Sequence, residues 1–266
     1  METSDESTSI ATNGNSSNLV GVPTGLLASA SFNDFPIPLC IRGTRETHAE
    51  LFNSLRQAEN LEEAKRIFQK YMNSRYGFER KRNGVRRFYA SYSQVLADWG
   101  FDSNGQAGAV LKGWVESRFG LFPTFHKEPI RRFNSPAWVT YVEEKMSSRF
   151  NNNEINAQFD LLYEFCQWAM LHFVATGRKH LRLYRGTNDM NEMVQDPKSA
   201  IVRMNNLASF TRERDIADEF GDTIIEAEVP VVKVLCFNEL LIPHTLQGES
   251  EYLVIGGDYR VKASYY

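Results

Sequence analysis

Gly177 divides two textures. Before it, apolar residues recur at steps of three and four; after it they gather in short runs rich in β-branched and aromatic side chains. In EINAQFDLLYEFCQWAMLHFV, residues Ile155, Phe159, Leu162, Cys166, Ala169 and Phe173 step by 4, 3, 4, 3 and 4, which puts them on one side of an α-helix. The pattern lasts less than three heptads, so it reads as a core helix and not a coiled-coil seam; His172 lies off the stripe. Leu51, Leu55, Leu61, Ala64, Ile67, Phe68 and Tyr71, with a break near Asn60, predict two helices between Thr44 and Tyr76. VRRFYASYSQVLADWG (85–100) and AVLKGWVESRFG (109–120) read as helices ending on Gly100 and Gly120, and Ser135-Pro136 as the cap and first-turn proline of another. Beyond Gly177, KHLRLYRG, LASFT, TIIEAEVPV, VKVLCF, EYLVIGG and YRVKASYY are bounded by Gly, Pro, Asn or Asp and read as strands, with only RERDIADEFG (212–221) helical. The chain is therefore expected to be α+β. Residues 1–17 are expected to form a disordered tail, 18–178 a mainly helical part whose arm (18–43) is ordered but irregular, and 179–266 a β-rich part.

The bulk numbers exclude several function classes. With 266 residues, 42% hydrophobic and 24% charged, the chain can bury one large core or two modest ones. A net charge of -3 argues against general binding of nucleic acid or anionic membranes, and the Arg131-Arg132 pair reads as a solvated rim. Cys40, Cys166 and Cys236 are odd in number and widely spaced, which suits a reducing cytoplasm. No leader-like apolar stretch and no run of eighteen apolar residues occurs, so neither export nor a membrane span is expected. Histidines 48, 126, 172, 180 and 244 never fall at metal spacing, and no metal is expected. The phosphate-cradle and hydrolase motifs G-x-G-x-x-G, G-x-x-x-x-G-K-[ST], H-E-x-x-H and G-x-S-x-G are absent.

Three short strands carry residues that suit one cleft. In LRLYRGT, Arg185 continues the inward row of Leu181 and Leu183, and Gly186 follows it. A guanidinium so placed needs an anionic partner, either a core carboxylate or a bound phosphate. In SFT, Ser209 and Thr211 share a face opposite Phe210. In QGESEYLV, extended backbone would turn Glu249 and Glu251 the same way, about 7 Å apart. A second Glu-x-Glu, Glu226 and Glu228, sits in a strand read as structural.

Arginine, hydroxyl pair and Glu-x-Glu, in that order, resemble the R-S-E class of arginine-directed mono-ADP-ribosyltransferases. Longer stretches extend the likeness: NLVGVPTGLLASA (18–30), WGFDSNGQAGAVLKGWVESRFGLFPTFHKEP (99–129), FNSPAWVTYVEEKMSSRF (133–150) and LLYEFCQW (161–168) are similar to the dinitrogenase reductase ADP-ribosyltransferases of nitrogen-fixing bacteria. The resemblance implies a helical part packed on a mixed β-sandwich that binds NAD in a cleft, without a Rossmann fold, which makes 179–266 the NAD-binding catalytic part. It implies transfer of ADP-ribose from NAD to an arginine of the nitrogenase iron protein, and control by a PII-type nitrogen signal protein. By residue, it implies Glu251 on the ribose hydroxyl where positive charge develops, and Glu249 orienting and deprotonating the acceptor arginine. It further implies Arg185 on the NAD phosphate or ribose, Ser209 on the nicotinamide ribose, Thr211 in support and Gly186 near the adenine. Relatives often carry Ser-Thr-Ser where this chain has Ser209-Phe210-Thr211, so no hydroxyl serves the central place. An NAD glycohydrolase and a non-catalytic binding module are the alternative readings.

Overall fold

A computed structural model of the chain describes residues 18–77, 90–188, 194–196, 200–242, 245–246, 248 and 250–265. The expected tail (1–17) and the first part of the helix expected over 85–100 lie outside the described residues. The arm forms two short helices, α1 (Thr24–Ala28) and α2 (Ala30–Asp34); Ser29 closes the first and caps the second by accepting from Phe32 N–H. Next come α3 (Thr44–Thr47), α4 (Ala49–Leu55) and α5 (Leu61–Tyr76). The break near Asn60 is a cap: its side chain accepts from Glu63 N–H, and Gly77, at φ 68°, ends the helix in the left-handed region.

α6 (Tyr92–Phe101) starts at a Ser91 cap and runs one residue past Gly100, while α7 (Gln106–Phe119) stops on Gly120 at φ 73°. A small hairpin that the sequence did not signal, β1 (Phe125–His126) and β2 (Glu128–Pro129), follows. α8 (Pro136–Ser147) begins on the Ser135 cap, and α9 (Asn153–Ala169) on Asn152. All six stripe residues of α9 and the π turn after it face inward: Phe173 is partly buried and the other five fully so.

α9 is the axis on which the two textures meet. Tyr163 Oη donates to Val232 O at 2.8 Å, and Gln167 Nε2 donates to Val231 O and Val234 O at 3.1 and 2.8 Å. The buried Glu164 carboxylate accepts from Ile41 N–H (2.6 Å) and Arg45 Nε (2.5 Å), which fastens the arm. One hydrophobic cluster consequently runs from Val20 through α9 to Val261.

The strands are β3 (His180–Thr187), β4 (Val194–Asp196), β5 (Ile201–Thr211), β6 (Thr223–Pro230), β7 (Val234–Phe237) and β8 (Glu251–Tyr265), with α10 (Arg214–Asp218) between β5 and β6. Their order is β4-β5-β3-β6-β8-β7, and β5 also pairs with β8. The α+β architecture is as expected. The sheet is not mixed, however: every described pairing is antiparallel.

EYLVIGG and YRVKASYY merge into the single strand β8. Its first part lies between β7 and β5, and its last five residues pair with β6, so two half-sheets share one strand. Pairing with β5 runs to Arg260 and pairing with β6 begins at Val261; within the β5 stretch Gly256 lies opposite a bulge at Asn205-Asn206, where an added Cβ would stand 1.7 Å from Asn205 O. The bulge anchors the helical part: Asn206 Nδ2 donates to Lys112 O and Leu121 O (2.9 and 3.0 Å), and Asn205 Nδ2 donates to Phe125 O (2.9 Å).

Candidate active site

β3 and β5 touch through one bridge, Tyr184 opposite Thr211, and Thr211 also pairs with Glu251 at the start of β8. Three strands thus converge on one residue. Beside that junction lies a cleft of about 490 Å³, within the range of small-molecule sites. Arg185, Ser209 and Glu251 line it together with Trp99, Phe101 and Phe220.

Ser209 is the hub of the polar contacts. Arg185 Nη1 crosses from β3 to donate to the Ser209 carbonyl at 2.8 Å, and the Ser209 hydroxyl donates to Glu251 Oε1 at 2.7 Å. The hydroxyl oxygen also accepts from Trp99 Nε1 at 3.2 Å. Glu251 Oε2 accepts from Gly248 N–H at 3.1 Å, and Asn238 Nδ2 holds the Gly248 carbonyl. Arg185 Nε is buried with no protein partner, which leaves a guanidinium donor in reserve beside the cleft.

Burial sets the electrostatics. Glu251 is only 7% exposed, and desolvation raises its carboxyl above the ordinary 4.5 against the pull of Ser209, Gly248 and Arg185. Desolvation likewise lowers Arg185 from its ordinary value, opposed by the Glu251 charge. Each of these two groups therefore favours the charged form of the other.

The remaining expected site residues divide. Thr211 Oγ1 accepts from Glu213 N–H at 3.2 Å, so its hydroxyl shapes the turn into α10 while its backbone forms the three-strand junction. Gly186 lines the cleft, but the space that a Cβ would fill is taken by Ala217 O at 2.0 Å; its bareness admits α10 and not a ligand. Glu249 lies outside the described residues. Ser250 has φ 50°, so the backbone entering Glu251 turns and the extended premise behind a same-side Glu-x-Glu does not hold there. Glu226 and Glu228 form surface ion pairs with Arg182 (3.5 and 3.1 Å), as a structural pair should. Among the described residues, no cluster of His, Cys, Asp or Glu could hold a metal ion.

The family described as "Dinitrogenase reductase ADP-ribosyltransferase (DRAT)" matches residues 17–263. The chain belongs to this family. A curated relative from Rhodospirillum rubrum, "NAD(+)--dinitrogen-reductase ADP-D-ribosyltransferase", is 56% identical over 264 residues, which cover 95% of this chain and 96% of that protein. No solved structure gave a significant match.

Against this family background, two features escaped the sequence reading of individual residues. Trp99 reaches Ser209 from 110 positions away. Phe101, the last residue of α6, and Phe220, two residues past the end of α10, are 79% and 63% exposed and line the cleft. A large aromatic at or near a helix's C-terminal end was the available signal for the latter pair. Among the described residues, no helix is long and apolar enough to cross a membrane.

Proposed function

We infer that this family member transfers ADP-ribose from NAD to an arginine of the nitrogenase iron protein (dinitrogenase reductase), and so switches nitrogen fixation. Family membership and the relative's printed name support the donor, the acceptor and the reaction. The observation that carries the chemistry is the double engagement of Ser209, whose carbonyl takes Arg185 and whose hydroxyl serves Glu251. Those contacts gather a cation, a hydroxyl and a carboxylate around one cleft.

In this reading the free Nε–H of Arg185 meets an NAD phosphate or ribose oxygen. Ser209 and Glu251 hold the nicotinamide ribose. As the C1–N bond to nicotinamide breaks, its electron pair leaves with the ring nitrogen, which needs no acid because the pyridinium was already cationic. Positive charge then develops on the ribose, as in glycoside cleavage, beside the Glu251 carboxylate. An acceptor guanidinium nitrogen bonds to C1 and gives up a proton, and Glu249 is the residue proposed to orient it and take that proton. Thr211 and Gly186 support the site by fixing the strand junction and the seat of α10.

The β-rich part, 179–266, is read as the catalytic part of a cytoplasmic enzyme and the helical part, 18–178, as the face for protein partners, including a PII-type nitrogen signal protein as regulator. The cleft, about 490 Å³, is of small-molecule size, which leaves recognition of a whole protein to surfaces outside it. Labelled NAD incubated with the purified iron protein tests the main reading: label on the iron protein is the expected result. Free labelled ADP-ribose with no labelled protein would reject the transferase.

A further inference from the structure

The hydroxyl at the centre of the cleft is held from the helical side. Trp99 lies in the last turn of α6, only 4% exposed, and its indole N–H donates to Ser209 Oγ at 3.2 Å. A serine hydroxyl has a single hydrogen on a free rotor. With the indole occupying one lone pair, that hydrogen has to point elsewhere, and it goes to Glu251 Oε1 at 2.7 Å. The indole is fixed in turn. Lys112 Nζ stands 5.9 Å from its ring centroid. That ammonium is itself pinned by Asn104 Oδ1 at 2.9 Å, Phe125 O at 3.1 Å and His126 Nδ1 at 3.3 Å. The same helix α7 is bolted through the Lys112 carbonyl to Asn206, three residues before Ser209.

We propose that Trp99 is a positioning residue of the transferase: its indole N–H sets the Ser209 rotor that engages Glu251. The inference rests on the reading of Ser209 and Glu251 as the residues that hold the donor ribose, and it adds a contribution from outside the β-rich part. A tryptophan used only for packing would need its ring and not its N–H. The two roles therefore separate when the donor is removed and the ring is kept.

3-Benzothienylalanine at position 99 places sulfur where the N–H was and preserves the bicyclic shape; Trp99→Phe is the simpler companion. Both are compared with wild type, Ser209→Ala and the double variant Trp99→Phe/Ser209→Ala for initial rates of transfer to the iron protein over a range of NAD concentrations. Thermal unfolding checks the fold. The benzothienyl protein should unfold like wild type, lose about five- to tenfold in kcat, the effect of one hydrogen bond, and keep its KM for NAD within about twofold. In the Ser209→Ala background, Trp99→Phe should change kcat by less than about twofold, because the rotor it sets is gone. If Trp99→Phe fails to fold, the benzothienyl protein decides alone. A benzothienyl protein as fast as wild type, or a Trp99→Phe loss that persists undiminished without the Ser209 hydroxyl, overturns the positioning role and leaves the transferase reading standing. Ser209→Ala as active as wild type overturns the site reading and the positioning role together.

Discussion

Burying the Glu251 carboxylate weakens the fold while arming the site. Its raised pKa means that the folded chain holds this proton more tightly than the unfolded chain does. Stability from such a group is fully present below the unfolded value and is lost as pH rises through the folded one. Glu251→Gln, permanently neutral, should therefore unfold at a higher temperature than wild type at pH 7. The difference should fade below about pH 4, where both are neutral; calorimetry at the two pH values checks this, and equal midpoints at pH 7 would contradict it. The same variant should lose transfer and NAD hydrolysis by on the order of 10²–10³ or more, whereas Glu249→Gln should lose transfer and spare hydrolysis. Equal loss of hydrolysis in both would refute the division of labour. Arg185, Ser209 and Glu251 were legible as a set only through resemblance. Their contacts join residues 24 and 42 positions apart, and no local pattern encodes that.

Helix and strand ends were readable wherever the signal is local. Asn60, Ser135 and Gly120 act within three or four residues of themselves, and each end fell where its chemistry put it. Glycines whose partner lies far along the chain misled. Gly256-Gly257 looks like a stop between two strands, yet Gly256 is required by a bulge some fifty residues earlier and β8 runs straight through. Gly186 looked like room for a ligand, yet it is room for the Ala217 carbonyl. Gly186→Ala should push α10 outward, since backbone cannot give way as a flexible side chain does, at about 1–3 kcal/mol. Ile216, Ala217 and Phe220 line the cleft, so titration calorimetry should also find weaker NAD binding; unchanged affinity would mean that α10 does not shape the site.

At the scale of the whole molecule, the change of texture at Gly177 is not a seam in the core. The cluster that includes Leu51, Phe68, Phe165 and Cys166 continues into Leu183, Val234 and Tyr252. Residues 179–266 expressed alone should therefore show no cooperative thermal transition, and a sharp one would make the β-rich part an independent domain. Lys112 and Lys233, each pulled down to about 7 by burial, are charged more readily unfolded than folded. Their stabilising contribution is lost as pH falls through about 7, so the melting temperature should climb from pH 7 towards 9, short of the range in which the buried tyrosines 141, 163 and 259 act in the opposite sense. Lys233→Met should flatten that climb. The sharing of β8 has a mechanical consequence. Just after Glu251, at Tyr252–Val254, the strand is paired on both edges, by β5 and by β7, so the floor that carries the carboxylate resists bending. Any accommodation of an incoming protein's contour falls to the walls on either side.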